Sequence, residues 1–560
     1  MGKAHKIHAV LACCFLLTAL GAVPARAQHE RGEIRLKVQD QRGGPLAASV
    51  DLASESNHVH RNFVTGPGGN FVARELPFGL YSLDVTYPGF LPFKKLVQVQ
   101  SEVPVTISVT LGLAHLKSSI NVSGSATLID PQSARTVYSA GPRTIHQQLP
   151  AQLGRGVTDV VDSEPGWLYE ANGVLHPRGS EYDVQFVVNG LPLTENRSPA
   201  FAPPLAVDDV QSMRVMTAGF PAEYGRKLGG VVEVTTVKDL PAGFHMSAEA
   251  QAGSFATTAG GVEMGYAQGA NQFMFSGNAG VTDRYLDPPV IANYTNRGSN
   301  GTAGASWSSD LSRRDHLRVS IRHADTRYAV PNELVQEQAG QRQDTADSET
   351  NLQADYSRVL SPTLLFGAEG SFRDESFELW SNSFSTPAIV SQQRGFRQGY
   401  GRVTLAGSKG THNWKIGVDA IFNPVHENLQ YAITNPSFFD PETAQRFVFA
   451  DRQVDFEPAA FAEDSMQLKN WNFSFGLRFD HYGFVVHQSA WSPRVAISRY
   501  FAGLAVLVHA DYDRVFQTPA MENLLLASSP EIDQINPLVV RLPVEPSRGN
   551  YYEPGVTKGI

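Results

Sequence analysis

The chain has 560 residues, of which 42% are hydrophobic, and a formal net charge of -9 at pH 7. A mean hydropathy of -0.21 argues against a helical membrane protein, and the acidic charge gives no support to nucleic-acid binding. The 49 glycines, 34 prolines and 10% aromatic residues are typical of a β-rich protein with many turns. At ~100–200 residues per domain, the length predicts several domains.

The N-terminus has the pattern of an export signal. Lys3 and Lys6 precede an apolar run over residues 9–23, and Ala25-Arg26-Ala27 is a small-x-small cleavage site. We predict that residues 1–27 are a signal peptide and are removed. The alternative, a membrane anchor, is disfavoured because the run is shorter than the ~20 apolar residues of a spanning helix.

Cleavage would change the charge and the thiol content of the mature chain. Three basic residues and no acid are lost, so the net charge becomes -9 - 3 = -12. Both cysteines, Cys13 and Cys14, lie inside the signal. A lipoprotein at Cys13 is the alternative, but this cysteine lies in the apolar run rather than after it. A mature chain without thiols has no disulfides, cysteine metal sites or cysteine nucleophiles.

Residues 28–112 are predicted to form a β-sandwich, because short alternating segments are separated by closely spaced turns. The first segment places Ile34, Leu36 and Val38 on one face. A D-x-x-G-x-P-L turn from Asp40, a G-x-F strand and an L-P-x-G-x-Y-x-L hairpin then follow. These pieces resemble the carboxypeptidase-regulatory-like (transthyretin-like) domain. The resemblance implies a fold and says little about function.

Residues 113–130 are small and polar and are predicted to be a linker. Within them, Ser119-Ile120-Asn121-Val122-Ser123 is a candidate extended segment that would add to the sheet edge of a partner. An ordinary linker is the alternative interpretation of the same residues.

Residues 131–239 are predicted to be a small α/β domain. The predicted elements are short helices at Thr144–Gln148 and Val157–Val161 and strands at Val184–Val188, Val210–Met216 and Val231–Thr236. The Asn189-Gly190 pair supplies the positive φ angles of a tight hairpin.

Three ordered motifs make residues 131–239 resemble the plug domain of TonB-dependent receptors. The first motif is Pro165-Gly166 followed by Pro177-Arg178-Gly179-Ser180. The second is Phe186–Leu193, which has Asn189-Gly190 where the family usually has Asp-Gly. The third is Val210–Thr236, which contains Pro221-Ala222-Glu223-Tyr224-Gly225-Arg226 and Gly229-Gly230. The glycines would allow close backbone approach inside a barrel. The charged residues would pair with the polar inner wall of the barrel. The alternative for each of them is a charge that is exposed to solvent in a turn.

Residues 240–560 alternate in roughly ten-residue segments, as membrane β-barrel strands do. In the clearest segment, alternate residues from Trp471 to Phe479 are apolar and those from Asn472 to Asp480 are mostly polar. Tyr482, Trp491, Tyr500, Phe501 and Tyr512 are candidates for an aromatic girdle. We count 14 candidate strands between residues 244 and 558. Segments such as Ser492-Pro493-Arg494-Val495 and Tyr552-Glu553-Pro554-Gly555 also resemble the barrel of TonB-dependent receptors.

The resemblance implies an Oar-like member of that family: a mainly β protein with a transthyretin-like sandwich, an α/β plug and an antiparallel transmembrane barrel. It implies import of an extracellular small ligand across the bacterial outer membrane, with the sandwich in the periplasm. The implied partners are outer-membrane lipid, the barrel-assembly machinery and a TonB-type energy-coupling complex that pulls on the Ser119–Ser123 segment. The candidates for ligand contact are Trp167, Tyr169, Asn172, His176, Asn196, Arg197 and Phe201; packing against the barrel wall is their alternative role.

Plugged transporters have ~22 strands, so the count of 14 leads us to expect an incomplete barrel. No enzyme signature is present: no histidine begins a His-x-x-Glu pair, and the chain has no Gly-x-Ser-x-Gly elbow or phosphate loop. We therefore expect neither an enzyme nor a cofactor. Two other functions remain open, an outer-membrane adhesion protein of the same architecture and a secreted β-protein that binds carbohydrate. The sequence does not indicate the ligand.

Overall fold

A computed structural model describes residues 31–113, 135–141, 144–145, 156–169, 175–177, 184–193, 210–227, 229–236, 240–286, 295–521, 523–535 and 544–558. The predicted signal peptide, most of the predicted linker and most of the predicted helix at Thr144–Gln148 lie outside these residues. In the part of the chain that is described, no helix is long and apolar enough to cross a membrane.

The N-terminal region is a sandwich of two β-sheets. Its seven strands are β1 (Arg31–Asp40), β2 (Ser49–Ser54), β3 (Val59–Val64), β4 (Asn70–Pro77), β5 (Gly79–Thr86), β6 (Phe93–Val99) and β7 (Val105–Leu111). One sheet has the order β4-β1-β7 and the other β3-β2-β5-β6. The alternation read from the sequence is confirmed, because Ile34, Leu36 and Val38 are all buried between the sheets.

The described residues of the central region form a five-stranded sheet of order β12-β11-β14-β13-β8 and a separate two-stranded sheet, together with the helix α1. Its elements are β8 (Val137–Ala140), α1 (Gly156–Asp162), β9 (Trp167–Tyr169), β10 (Leu175–Pro177), β11 (Val184–Val188), β12 (Leu191–Leu193), β13 (Ser212–Met216) and β14 (Gly230–Thr235). Asn189 and Gly190 have φ angles of 49° and 84°, so they form the predicted tight turn between β11 and β12. We refer to residues 135–236 as the plug.

The C-terminal region is one antiparallel sheet of 14 strands in sequence order. The strands are β15 (Gly243–Ala252), β16 (Thr258–Gln268), β17 (Asn271–Thr282), β18 (Gly298–Asp310), β19 (Asp315–Ala329), β20 (Gln343–Ser361), β21 (Leu364–Ser381), β22 (Ala388–Lys409), β23 (His412–Ile433), β24 (Arg446–Leu468), β25 (Trp471–Gly483), β26 (His487–Phe501), β27 (Val506–Gln517) and β28 (Ser547–Lys558). Short helices α2 (Leu334–Gln338) and α3 (Leu524–Ala527) lie in the connections. The mainly β fold and the count of 14 strands agree with the sequence analysis.

One face of this sheet presents exposed apolar side chains and the other presents buried charged ones, as the alternation predicts. In β25, Phe475 and Leu477 are 48% and 43% exposed on the outer face, whereas Arg478 on the inner face is 0% exposed. One girdle candidate is wrong. Tyr482 is buried on the inner face, because it lies four positions after Arg478 in the same strand and side chains alternate with period two. Trp491 lies on the outer face, as expected.

The inner face curves around the plug. At one side of the plug, Asn189 and Leu193 line a cavity together with residues of β17 to β20. At the other side, buried plug residues pack against Val515 of β27 and Tyr551 of β28. The sheet thus wraps the plug from β17 to β28, and the charged inner faces of its strands meet the plug surface.

Connections at the two ends of the sheet differ in length. At one end the six connections have two to four residues, such as 410–411 and 469–470. At the other end they reach 29 residues, in the connection 518–546. We call these the short-turn end and the long-loop end.

The sandwich offers a direct stability test. We expect Leu83→Ala to lower the free energy of unfolding of a fragment spanning residues 28–112 by about 2–5 kcal/mol, because Leu83 is buried in its core. Lys95→Ala, at the exposed position opposite Leu83, should change it by less than about 0.5 kcal/mol. Denaturant titration followed by circular dichroism measures both. A random-coil spectrum of the unmutated fragment would show that this region does not fold alone.

Candidate functional site: the plug loop in the barrel wall

In the part of the chain that the structure describes, residues 217–227, which we call the plug loop, contact the sheet extensively. Each of these residues is buried. Three backbone amides of the loop donate hydrogen bonds to carboxylates of the wall. Gly219 N and Phe220 N lie 2.7 and 3.2 Å from Oδ2 of Asp513, and Ala222 N lies 2.8 Å from Oε2 of Glu463. The wall carboxylates therefore hold the backbone of the loop.

Two wall arginines hold the carbonyl groups of the plug loop. Arg494 of β26 donates to Phe220 O at 3.1 Å, to Pro221 O and to Tyr224 O at 2.6 Å. Arg478 of β25 donates to Glu223 O at 3.0 Å. Because a buried carbonyl without a partner is costly, these contacts replace water around a segment that has no regular secondary structure.

Glu223 lies between two wall cations. Its Oε2 atom is 3.1 Å from Nη1 of Arg402 and 2.7 Å from Nζ of Lys415. Arg402 also pairs with Glu369, at 2.8 Å, and Lys415 pairs with Glu102 of the sandwich, at 2.7 Å. Glu223 is therefore part of a buried network that joins the plug, the wall and the N-terminal domain.

Arg226 is the complementary charge of the plug loop. Its Nη2 atom lies 2.6 Å from Oδ1 of Asp419, and its Nε atom lies 2.7 Å from Oε2 of Glu457. Burial alone would lower the pKa of the Arg226 guanidinium, but the two carboxylates outweigh burial and the pKa is raised above its usual value. Arg226 has a φ of 71°, a left-handed conformation that non-glycine residues seldom adopt. The carbonyl oxygen of Arg226 is held as well, because it accepts a hydrogen bond from Thr518 N at 2.9 Å.

Tyr224 turns back into the plug. Its hydroxyl donates to Oε1 of Glu233, whose other oxygen accepts from Arg214 at 2.9 Å. Arg31 of the sandwich lies 3.9 Å from the same carboxylate. The loop is thus joined both to the central sheet and to the N-terminal domain.

Two glycines mark positions of close approach. A Cβ on Gly225 would lie 2.2 Å from Nε of Arg478, so only glycine lets this arginine cross the loop. A Cβ on Gly230 would lie 2.5 Å from the Trp167 ring. The neighbouring Gly229 is buried as well. At the hairpin turn, Gly190 O accepts from Arg402 at 3.2 Å, and Asn189 Oδ1 accepts from Thr236 N at 2.8 Å.

Two of the residues predicted to contact the ligand, Trp167 and His176, are buried. Trp167 is 7% exposed and belongs to the apolar core of the plug. His176 is buried in β10, which pairs with β9, the strand that contains Tyr169. These positions favour packing for Trp167 and His176. The other candidates, Asn172, Asn196, Arg197 and Phe201, lie outside the described residues, as do Arg178, Gly179 and the segment Ser119–Ser123.

The wall side of this site is not evident from the sequence motifs. Its principal residues are Arg402, Lys415, Asp419, Glu457, Glu463, Arg478, Arg494 and Asp513. A signal was present, because charges recur at inward positions of successive strands. That signal identifies a polar face, but it does not show which plug residue each charge contacts.

The long-loop end contains a second feature. Part of the connection 518–546 folds onto the inner face of the sheet, where Leu524, Leu525 and Leu526 of α3 pack against aromatic residues of the wall. The amides of Leu525 and Leu526 donate to the carboxylate of Glu427, both at 3.1 Å. A cavity of about 520 Å³ opens nearby and is lined by residues of four connections and strand ends, among them Asn332, Arg342, Tyr431 and Phe439.

The close approach at Gly225 can be tested. We expect Gly225→Ala to weaken the interaction free energy between the plug and the barrel wall by about 1–3 kcal/mol, because the added methyl group displaces Arg478. The measurement is the temperature of the heat-dependent mobility shift in gels, with protease accessibility of the plug as a second readout. Gly401→Ala is the matched control, since no atom lies within 4 Å of a Cβ there. Equal behaviour of both variants would contradict the assigned contact.

Comparisons with known proteins agree with this architecture. The family model described as "TonB dependent receptor-like, beta-barrel" matches residues 258–557, and the "Carboxypeptidase regulatory-like domain" model matches residues 33–112. The TonB-dependent transporter Oar of Myxococcus xanthus is 26% identical over 211 residues, which are 36% of this chain and 20% of that protein. The match thus spans about one fifth of this relative.

Solved structures show the same fold. The ferripyoverdine receptor of the outer membrane of Pseudomonas aeruginosa matches with a TM-score of 0.60 at 11% identity, over 80% of this chain and 65% of the receptor. The ferric yersiniabactin uptake receptor FyuA of Yersinia pestis matches with a TM-score of 0.58 at 12% identity, over 76% of this chain and 69% of the receptor. The family consists of receptors and transporters, not of enzymes, and its barrels lie in the outer membrane. With a family model that covers more than half of its residues, this chain belongs to the TonB-dependent receptor family.

Proposed function

We propose that this protein binds an extracellular small ligand at the long-loop end of its barrel and imports it by TonB-coupled movement of the plug. The observation that carries the proposal is the burial of the plug loop against the inner wall, with Glu223 and Arg226 paired to strands β22, β23 and β24. A lumen occupied in this way must be cleared before a ligand passes.

Clearing the lumen requires work. Breaking a buried ion pair by removing one partner costs about 3–5 kcal/mol, and Glu223 and Arg226 each have two charged partners. Thermal motion alone would seldom separate them all. An external pulling force on the chain ahead of the plug would break these contacts one after another, which fits an energy-coupling complex as the partner.

The lengths of the connections support an orientation of the barrel in the membrane. Outer-membrane barrels have short periplasmic turns and longer extracellular loops. The sandwich contacts the short-turn end, where Arg74 Nη2 lies 2.5 Å from Oδ1 of Asp310 and Arg35 Nη1 donates to Arg313 O at 2.6 Å. We therefore assign the sandwich, residues 28–112, to the periplasm and the cavity near Tyr431 to the cell exterior.

The coupling segment is assigned to Ser119–Ser123, in the linker 113–130 between sandwich and plug. A stretch at this place would pass a pulling force to the plug domain, residues 131–239, before it reaches the barrel, residues 240–560. Outer-membrane lipid would surround the apolar outer face, and the barrel-assembly machinery would insert it. An adhesion function without transport is the second candidate, supported by the packing of Leu524–Leu526 against aromatic residues of the inner face at the long-loop end.

Cysteine labelling tests the orientation. Both cysteines of the chain lie in the predicted signal peptide, so an introduced one is the only thiol of the mature protein. Ser437→Cys, exposed in a long loop, should react with a membrane-impermeant maleimide on intact cells. Thr411→Cys, exposed in a short turn, should react only after the outer membrane is permeabilised. The reverse pattern would invert the assignment.

Proline substitution tests the coupling segment. We expect Ile120→Pro or Val122→Pro to abolish energy-dependent uptake and to leave surface binding intact, because proline lacks the N–H donor needed for strand addition. Thr127→Pro, in the same linker but outside the segment, is the control and should import normally. Unchanged uptake in the first two variants would rule out this segment. If the unsubstituted protein shows no energy-dependent uptake at all, the adhesion function is the correct one.

A further inference from the structure

Three potential metal ligands lie together on the inner face of β27 and β28. The register of the two strands pairs Asp511 with Glu553 and His509 with Gly555. His509 and Asp511 are two residues apart and so share one face of β27. They are 4% and 6% exposed. The antiparallel pairing thus brings one imidazole and two carboxylates to the same place in the wall.

The three side chains are close enough to bind one ion. One ligand atom from each of His509, Asp511 and Glu553 lies within 4.8 Å of the others, and His509 Nε2 is 4.0 Å from Oε1 of Glu553. Gly555 makes room for the imidazole, since a Cβ there would lie 2.2 Å from Cε1 of His509. The ring therefore lies over the strand backbone, beside the two carboxylates.

The hydrogen bonding of Asp511 points to a missing ligand. Both of its carboxylate oxygens are buried, and neither accepts a hydrogen bond from the residues that the structure describes. The same holds for Nδ1 of His509. Asp513, two residues further along β27, differs, because it accepts the amides of Gly219 and Phe220. A buried carboxylate without donors, next to a second carboxylate, is strongly unfavourable unless a cation compensates it.

We propose that His509, Asp511 and Glu553 bind a divalent first-row transition-metal ion, for which Zn²⁺ is the probe. The two carboxylates supply two negative charges, of which Arg135, the cation near Asp511, can compensate one, and a divalent ion would balance both. Nitrogen together with oxygen ligands suits Zn²⁺, Fe²⁺ or Mn²⁺ better than Ca²⁺ or Mg²⁺, which prefer oxygen alone. Metal–ligand bonds of about 2.0–2.2 Å place the ligand atoms roughly 3.5 Å apart, so side-chain rotation must bring atoms that now lie within 4.8 Å of one another closer by up to about 1.4 Å.

The ion would connect the barrel wall to the plug. Oγ1 of Thr136, the residue before plug strand β8, lies 3.1 Å from Nε2 of His509. This hydrogen bond occupies Nε2 and orients the ring, so Nδ1, which has no hydrogen-bond partner among the described residues, is the nitrogen available to the ion. A metal ion would therefore fasten β27 to β28 and also fix the place where the chain enters the plug.

The test uses the full chain, folded in detergent micelles and treated with chelator. Titration with Zn²⁺ should show one equivalent bound per chain and a higher temperature for the heat-dependent mobility shift. Asp511→Asn and His509→Gln should each weaken binding by at least about tenfold and remove the temperature increase. His323→Gln is the matched control, because His323 and Asp325 have the same spacing on β19 and lie 2.8 Å apart, but are exposed.

The outcomes separate the metal site from a pair of carboxylates that merely repel each other. If repulsion alone operates, Asp511→Asn raises the transition temperature in chelator, and Zn²⁺ has no effect on the unsubstituted chain. That result overturns the proposal, as does Zn²⁺ binding that is equal in the Asp511→Asn variant or lost in His323→Gln. Glu553→Gln repeats the test if either ligand variant does not fold, and loss of its Zn²⁺ equivalent supports the site.

Discussion

The pairing of buried charges between plug and wall is the constraint on which the rest of the structure depends. Charges removed from water are tolerated only when they are paired and hydrogen-bonded. Glu223 and Arg226 meet this condition through strands that are far apart in the sequence, so the plug fits only when the sheet curves around it. The curvature of the barrel wall and the position of the plug therefore depend on each other.

The contacts around the plug loop combine two kinds of interaction. Ion pairs at Glu223 and Arg226 supply charge compensation, whereas Asp513, Glu463 and Arg494 hold backbone groups of a loop without regular structure. The backbone contacts do not depend on the side chains of the loop. They specify its path, and the ion pairs specify its register against the wall.

Sequence alone predicted the local structure well and the long-range contacts poorly. The alternation of β25 and the positive-φ turn at Asn189 are local properties, and both were correct. The partner of Glu223 was not predictable, because Lys415 is separated from it by 192 residues and many inward-facing charges were available. The aromatic ring of Tyr482 favours the outer face, but the period of its strand places the residue on the inner face.

Lys415 serves two carboxylates at once, Glu102 of the sandwich and Glu223 of the plug. A shared cation makes the two domains thermodynamically linked, since withdrawing one carboxylate changes the electrostatic field felt by the other. Linkage is reciprocal. A protein that binds the sandwich better when the plug is displaced must therefore favour displacement of the plug to the same degree, so contacts at the N-terminal domain would bias the position of the plug.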